Sequence, residues 1–262
     1  MFLKVRGHNA YAYTANRKLD PALPSVVFIH GAGNDHSVWT LQSRYFAYHG
    51  MNAIAVDLPG HGRTKGNPIA SITLMANWIV ALLDAAGIAG AALVGHSMGS
   101  LIALNAGARF PKRVTKAVLI GTAVPMAVSE PLLEASLHRE HEAFDMVNVW
   151  SHSLASQIGG NTVPGMWMTG GSLRLMEHTE PGTLYADLNA CNTYEKGPDD
   201  AAALKCPALL ILGARDHMTP PRRAKEIATK IAGAKAVLLP SAGHALMSEE
   251  PDRVLDELIA FL

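Results

Sequence analysis

The sequence predicts a doubly wound α/β fold: a mostly parallel sheet with helices on both faces. Three observations lead there. Short apolar runs recur along the chain without polar alternation, as strands buried on both faces require. Between them lie stretches whose apolar residues are three and four apart, the helical period. The runs end in glycine, proline or small polar residues, which is turn composition. With 262 residues, 49% hydrophobic and 17% charged, the chain can bury one large core, and its composition is that of a folded rather than a disordered chain.

Residues 2–6 and 10–14 are expected to pair as an antiparallel hairpin at the sheet edge. Buried strands follow at 26–29, 53–56, 91–94, 118–120, 208–212 and 236–239. The first helix of the main pattern places Ile72, Met75, Ile79, Leu82 and Ala86 on one face. Ser71 is its N-cap candidate and Gly87 its stop. Residues 98–109 read as a helix halted before Pro111, and 221–231 and 251–262 as helices opening on proline.

From about 124 to 190 no buried strand is evident. Eight carboxylates face two arginines there, a net charge of −6, while the whole chain is neutral. Met126, Met146, Met166, Met168, Met176, Trp150 and Trp167 are concentrated in it. We read 124–190 as a helical cap inserted into a core made of 1–123 and 191–262. Trp150, Met166, Trp167 and Met168 then either form an adaptable pocket wall or pack the insertion onto the core.

A neutral chain with 22 basic and 22 acidic residues has no electrostatic footprint for nucleic acid or an anionic bilayer. Residues 1–10 lack a signal-peptide core. The longest apolar stretch, 117–128, is broken by Gly121, Thr122 and Pro125, so no membrane partner is expected. Cys191 and Cys206 form neither a disulfide framework nor a metal cluster; a reducing cytoplasmic location is expected. His138 and His141 are three apart on a helix, but a solvated face explains them better than a metal. No phosphate-binding or dinucleotide glycine loop is present, and no cofactor is expected.

The strongest chemical signal is Gly95-His96-Ser97-Met98-Gly99 between a buried strand and a helix. The flanking glycines permit a sharp turn that lifts the Ser97 hydroxyl out of the sheet beside a helix N-terminus. A serine hydroxyl needs a base. His244 stands on the small-residue loop after the last strand, and Asp216 follows the strand before it. The alternative acid position, after Gly121-Thr122, carries no carboxylate until Glu130. His96 is expected to point away from any pocket, and His30 and His61 to be structural. His217 is a loop or pocket residue.

These pieces, together with His30-Gly31-Ala32-Gly33 and Asp57-Leu58-Pro59-Gly60-His61-Gly62, resemble the α/β-hydrolase superfamily over essentially the whole chain. The resemblance implies an eight-stranded α/β-hydrolase fold with a cap and a triad of Ser97, Asp216 and His244. It also implies an oxyanion hole from the N–H groups of Ala32 and Met98, with Gly33 the less favoured substitute for Ala32. Serine rather than aspartate at the nucleophile position disfavours dehalogenase and epoxide-hydrolase chemistry and implies acyl transfer. The expected substrate is a small, neutral, apolar carboxylic ester, the expected assembly a monomer or homodimer. The alternatives are a carbon–carbon hydrolase of aromatic ring-cleavage products, a perhydrolase, and a small-molecule receptor with vestigial activity. The first is weakened because Ala245 stands where its compared members carry tryptophan, and because Arg139 and Arg174 are the only basic residues in the insertion.

Overall fold

The computed structural model describes residues 1–160, 162 and 165–262. The chain opens with β1 (Phe2–Val5), β2 (His8–Tyr13) and β3 (Ser25–Ile29), then a 3₁₀ turn at His36–Trp39 and α1 (Thr40–Tyr48). Next come β4 (Asn52–Val56), α2 (Ile72–Ala85), β5 (Ala91–His96), α3 (Met98–Arg109) and β6 (Val114–Ile120). The following helices are α4 (Glu130–His138), α5 (Glu140–Ser151), α6 (Leu154–Gln157), α7 (Met168–Glu177), α8 (Thr183–Asn192) and α9 (Gly197–Ala203). The chain closes with β7 (Ala208–Gly213), α10 (Pro221–Ala228), β8 (Lys235–Leu239), α11 (Leu246–Glu249) and α12 (Pro251–Phe261).

The eight strands form one sheet in the order β1-β2-β4-β3-β5-β6-β7-β8, and β2 alone runs against the others. The unalternated runs fill both faces, as expected of parallel strands. Val27, Ile29, Leu93, Leu119 and Leu210 pack with α2 and α3; Val26, Phe28, Val94, Val118 and Ile211 pack with α1 and α12. Burying each such side chain contributes about 1.5–3 kcal/mol, so both helix layers are held by the same short strands.

The strand at 236–239 corrects the expectation of burial on both faces. Ala236 is exposed, Leu238 is 43% exposed, and only Leu239 is buried. β8 is the outer strand, paired on one side only, with β7. An apolar run cannot by itself distinguish an edge from an interior position. Gly87, at φ +68°, ends α2 as its sequence suggests, whereas Ser71 sits at the N-cap without a side-chain capping bond. The tenth helix stops at Ala228, three residues before the expected end. There the chain tightens into i→i−3 bonds, Lys230 N–H to Ile227 O and Ile231 N–H to Ala228 O.

Between β6 and α9 the helices share a small apolar cluster, in which Leu132, Phe144, Val147, Met176, Leu184 and Leu188 meet. Among the described residues, no helix is long and apolar enough to cross a membrane.

Candidate active site

Ser97 is the residue between β5 and α3. Its backbone takes φ +51°, ψ −118°, outside helix and strand, and its N–H donates to Ile120 O on β6 (2.9 Å). Such a conformation costs about 1–3 kcal/mol and persists only where the surroundings enforce it. Here the enforcement is steric. A Cβ on Gly95 would lie 2.0 Å from Gly99 O, and one on Gly99 2.3 Å from Ile29 O. Both glycines of the motif are therefore required by close packing of the elbow.

Asp216 and His244 stand on adjacent loops after β7 and β8, joined by Arg215 N–H to Ala242 O (2.9 Å). Both are buried. His244 Nδ1 lies 2.8 Å from Asp216 Oδ2. The other groups around that carboxylate are donors as well. Oδ1 accepts the N–H groups of Met218 and Thr219, and Oδ2 accepts the Thr219 hydroxyl. Burial raises the Asp216 pKa, but His244 and Thr219 outweigh it and bring it down to about 2. The imidazole therefore carries its proton on Nδ1 and leaves Nε2 as the basic nitrogen. Gly121, which precedes the alternative acid position, presses on this ring, and a Cβ there would be 3.1 Å from His244 Nδ1.

Thr219 was not singled out by sequence reasoning. The usable signal was its place three residues after Asp216, just ahead of a proline-led helix, where a carboxylate commonly meets backbone N–H groups. His96 corrects an expectation. Its ring centroid lies 4.7 Å from that of His244, and its Nε2–H donates to His244 O at 2.8 Å. It borders the cavity rather than pointing away from it.

Ser97, His244, Ala32, Trp150, Met166, Trp167, Met168 and His217 all line one cavity of about 600 Å³. Trp167 sits at its rim, 77% exposed, while Met168 is buried. Met98 is not in the lining. Its side chain belongs to the core, and its N–H opens α3 beside Ser97. The N–H groups of Ala32 and Met98 have no acceptor among the described residues. The Gly33 N–H, by contrast, is taken by Asp187 Oδ2 (3.0 Å), which argues against Gly33 as an oxyanion donor. Among the described residues, no Lys, Arg, Asp or Glu lines the cavity.

Asp35, His36 and Asp57 bring possible metal-ligand atoms within 4.8 Å of one another. Both Asp57 oxygens and one Asp35 oxygen are already committed to the turn. Asp57 accepts from His36 and Arg63, and Asp35 from Ser37. His138 is exposed, and His141 is paired with Glu177 (3.1 Å) on a solvated face.

His30 and His96 are buried and neutral. Burial, with His61 beside His30 and His244 beside His96, pushes each down to about 3 from 6.5. The unfolded chain binds protons below 6.5 that the folded chain refuses, so each costs about 1.4 kcal/mol per pH unit below that value. His36 and His61 are shifted upward, so their contribution is complete below 6.5 and flat there. Asp57 and Asp216 are shifted downward and act only below the ordinary carboxylate range. Urea unfolding is therefore expected to take up roughly two protons near pH 5, and His96→Gln to remove about half of that slope. Equal stability at pH 6.5 and 5 would contradict two neutral buried histidines.

Residues 26–257 match the alpha/beta hydrolase family. The chain is 31% identical to the pimeloyl-[acyl-carrier protein] methyl ester esterase of Chromobacterium violaceum, over 88% of this chain and 91% of that one. It is 28% identical, over 90% of its length, to the dihydrolipoyllysine-residue acetyltransferase component of an acetoin cleaving system of Pseudomonas putida, and spans 63% of that protein. In fold it is similar to the enol-lactonase of Burkholderia xenovorans LB400, with a TM-score of 0.88 at 22% identity, covering 100% of this chain and 99% of that one.

Proposed function

The chain belongs to the alpha/beta hydrolase family, and on that premise we propose that it hydrolyses small, neutral carboxylic esters through an acyl-enzyme on Ser97. The observation that carries the reading is the convergence of Ser97 and a His244 already bonded to Asp216 on one cavity that no described Lys, Arg, Asp or Glu lines. Ser97 Oγ attacks the ester carbonyl carbon while His244 Nε2 takes its proton. The N–H groups of Ala32 and Met98 receive the oxyanion, each contributing about 3 kcal/mol in comparable sites. The imidazolium, stabilised by Asp216, then gives its proton to the leaving alkoxide. Water, deprotonated by the same nitrogen, releases the acid and restores Ser97. None of these steps needs a metal or an organic cofactor. Residues 124–190 act as the cap that supplies the apolar wall, with Trp150, Met166, Trp167, Met168 and His217 as substrate contacts.

Cavity chemistry favours the ester reading over carbon–carbon hydrolysis of ring-cleavage acids. A substrate carboxylate would enter an apolar cavity in which no described residue is a lysine or arginine. The test is steady-state hydrolysis of p-nitrophenyl butyrate. Multiple turnovers are expected, and their absence from folded protein would overturn the reading. A neutral butyryl thioester should also exceed butyryl-coenzyme A in kcat/KM, because the surrounding insertion carries a charge of −6. The reverse order would refute the neutral-substrate claim.

A further inference from the structure

The turn Asp57-Leu58-Pro59-Gly60-His61-Gly62 takes no part in the proposed chemistry, yet the insertion docks on it. Glu180 N–H donates to Gly60 O (2.9 Å), and a Cβ on Gly60 would lie 3.0 Å from Thr183 Oγ1. One turn along α8, Asp187 enters the protein. Its Oδ2 accepts from His61 Nε2 (2.8 Å) and from the Gly33 N–H (3.0 Å), and both side chains of the pair are buried. We propose that Asp187, held by His61, is a positioning residue of the oxyanion loop: a carboxylate of the insertion that fixes Gly33 and thereby aims the adjacent Ala32 N–H at the reacting carbonyl. This rests on the ester-hydrolase reading above.

The loop around Ala32 is fixed on each side. His30 Nδ1–H donates to Gly31 O (2.8 Å), and the Leu58 N–H enters His30 Nε2 (3.2 Å), which sets its tautomer. Asn34 N–H returns to Gly31 O, and Asn34 Nδ2 donates to Ala32 O (3.1 Å). Asp187 supplies the last tie, at Gly33. Gly33 has φ +64°, and a Cβ there would lie 3.1 Å from Met176 Cγ and 3.3 Å from Leu184 Cδ1, both on the insertion. The insertion therefore seats directly on the loop.

His61 donates from both nitrogens, since Pro59 O (3.1 Å) and Asp187 are both acceptors. It is therefore a cation. Burial opposes that charge, and Asp187 more than offsets the opposition. Asp187 Oδ1 is buried without a partner among the described residues. Packed apolar side chains commonly stabilise a fold as well as such a pair does. What the carboxylate adds is a directional acceptor for one backbone N–H.

The test compares wild type with Asp187→Leu, and with His61→Leu should the first variant not fold. Leucine offers no acceptor to either donor that Asp187 Oδ2 now holds. We expect kcat for p-nitrophenyl butyrate to fall about 10- to 100-fold with KM within about twofold, since small misplacements of transition-state groups act on kcat. Inhibition by butylboronic acid, whose tetrahedral adduct on Ser97 places an oxygen in the same hole, should weaken in parallel. Glu180→Gln, which breaks only the exposed Lys65–Glu180 pair of the docking surface, should change neither. Lower thermal stability with wild-type kcat and boronate affinity would reduce Asp187 to a structural contact and overturn the proposal. A further readout needs neither activity nor a variant. In wild type the Gly33 amide should exchange with solvent much more slowly than the Ala32 amide, and equal rates would overturn the proposal. If wild type fails to hydrolyse the ester, the functional reading fails, while amide exchange still decides the positioning of Gly33.

Discussion

Asp216→Asn is expected to lower kcat about 10⁴-fold while leaving the protein folded. The reason lies in the partners of the carboxylate. All four are donors: two backbone N–H groups on Oδ1, and the Thr219 hydroxyl and His244 Nδ1 on Oδ2. The backbone groups cannot turn around, so the asparagine amide oxygen must take the Oδ1 position. Its NH₂ then faces His244 and donates to Nδ1. That forces the imidazole proton onto Nε2, where it blocks acceptance of the serine proton. The Thr219 hydroxyl can rotate and accept, so little stability is lost. The check is kcat with p-nitrophenyl butyrate beside a urea unfolding curve. A fall of less than about tenfold in folded variant would remove Asp216 from the triad.

Ser97→Ala is expected to remove turnover by about 10⁴- to 10⁶-fold, because no hydroxyl remains to form the acyl-enzyme. Stability should barely change. The Ser97 side chain makes no helix-capping bond, and alanine meets the same φ +51° strain. Combining Ser97→Ala with Asp216→Asn should add almost nothing, since residues that act as one unit lose their effect together. Substantial residual ester hydrolysis by Ser97→Ala would sink the nucleophile assignment.

The sheet was legible because a parallel strand buried on both faces leaves an unbroken apolar run, and six such runs locate six strands. The same signal misjudged β8, because burial there depends on which strand comes last in the sheet. The elbow was legible because the glycines at 95 and 99 sit against backbone only 2.0 and 2.3 Å from where a Cβ would go, a constraint that short spacing records. Asp216 and His244 were legible from strand ends. His96 was misread because the local turn does not reveal a partner 148 residues away, the carbonyl of His244. Asp187 left no signal beyond its charge, since its partners Gly33 and His61 are 154 and 126 residues distant. Contacts between residues this far apart in sequence are set by tertiary packing, and no local pattern encodes them. The same long-range packing reaches the histidine loop, where the N–H groups of His244 and Ala245 both donate to Ser151 O, at 2.8 and 2.9 Å.

The most direct test of the central claim is rapid-quench mass spectrometry of the protein mixed with p-nitrophenyl butyrate, followed by peptide mapping. The account predicts a butyryl group on Ser97 that forms and decays at rates compatible with turnover, and none on Ser97→Ala. Turnover without an acyl-enzyme, or a butyryl group carried by another residue during turnover, would contradict it.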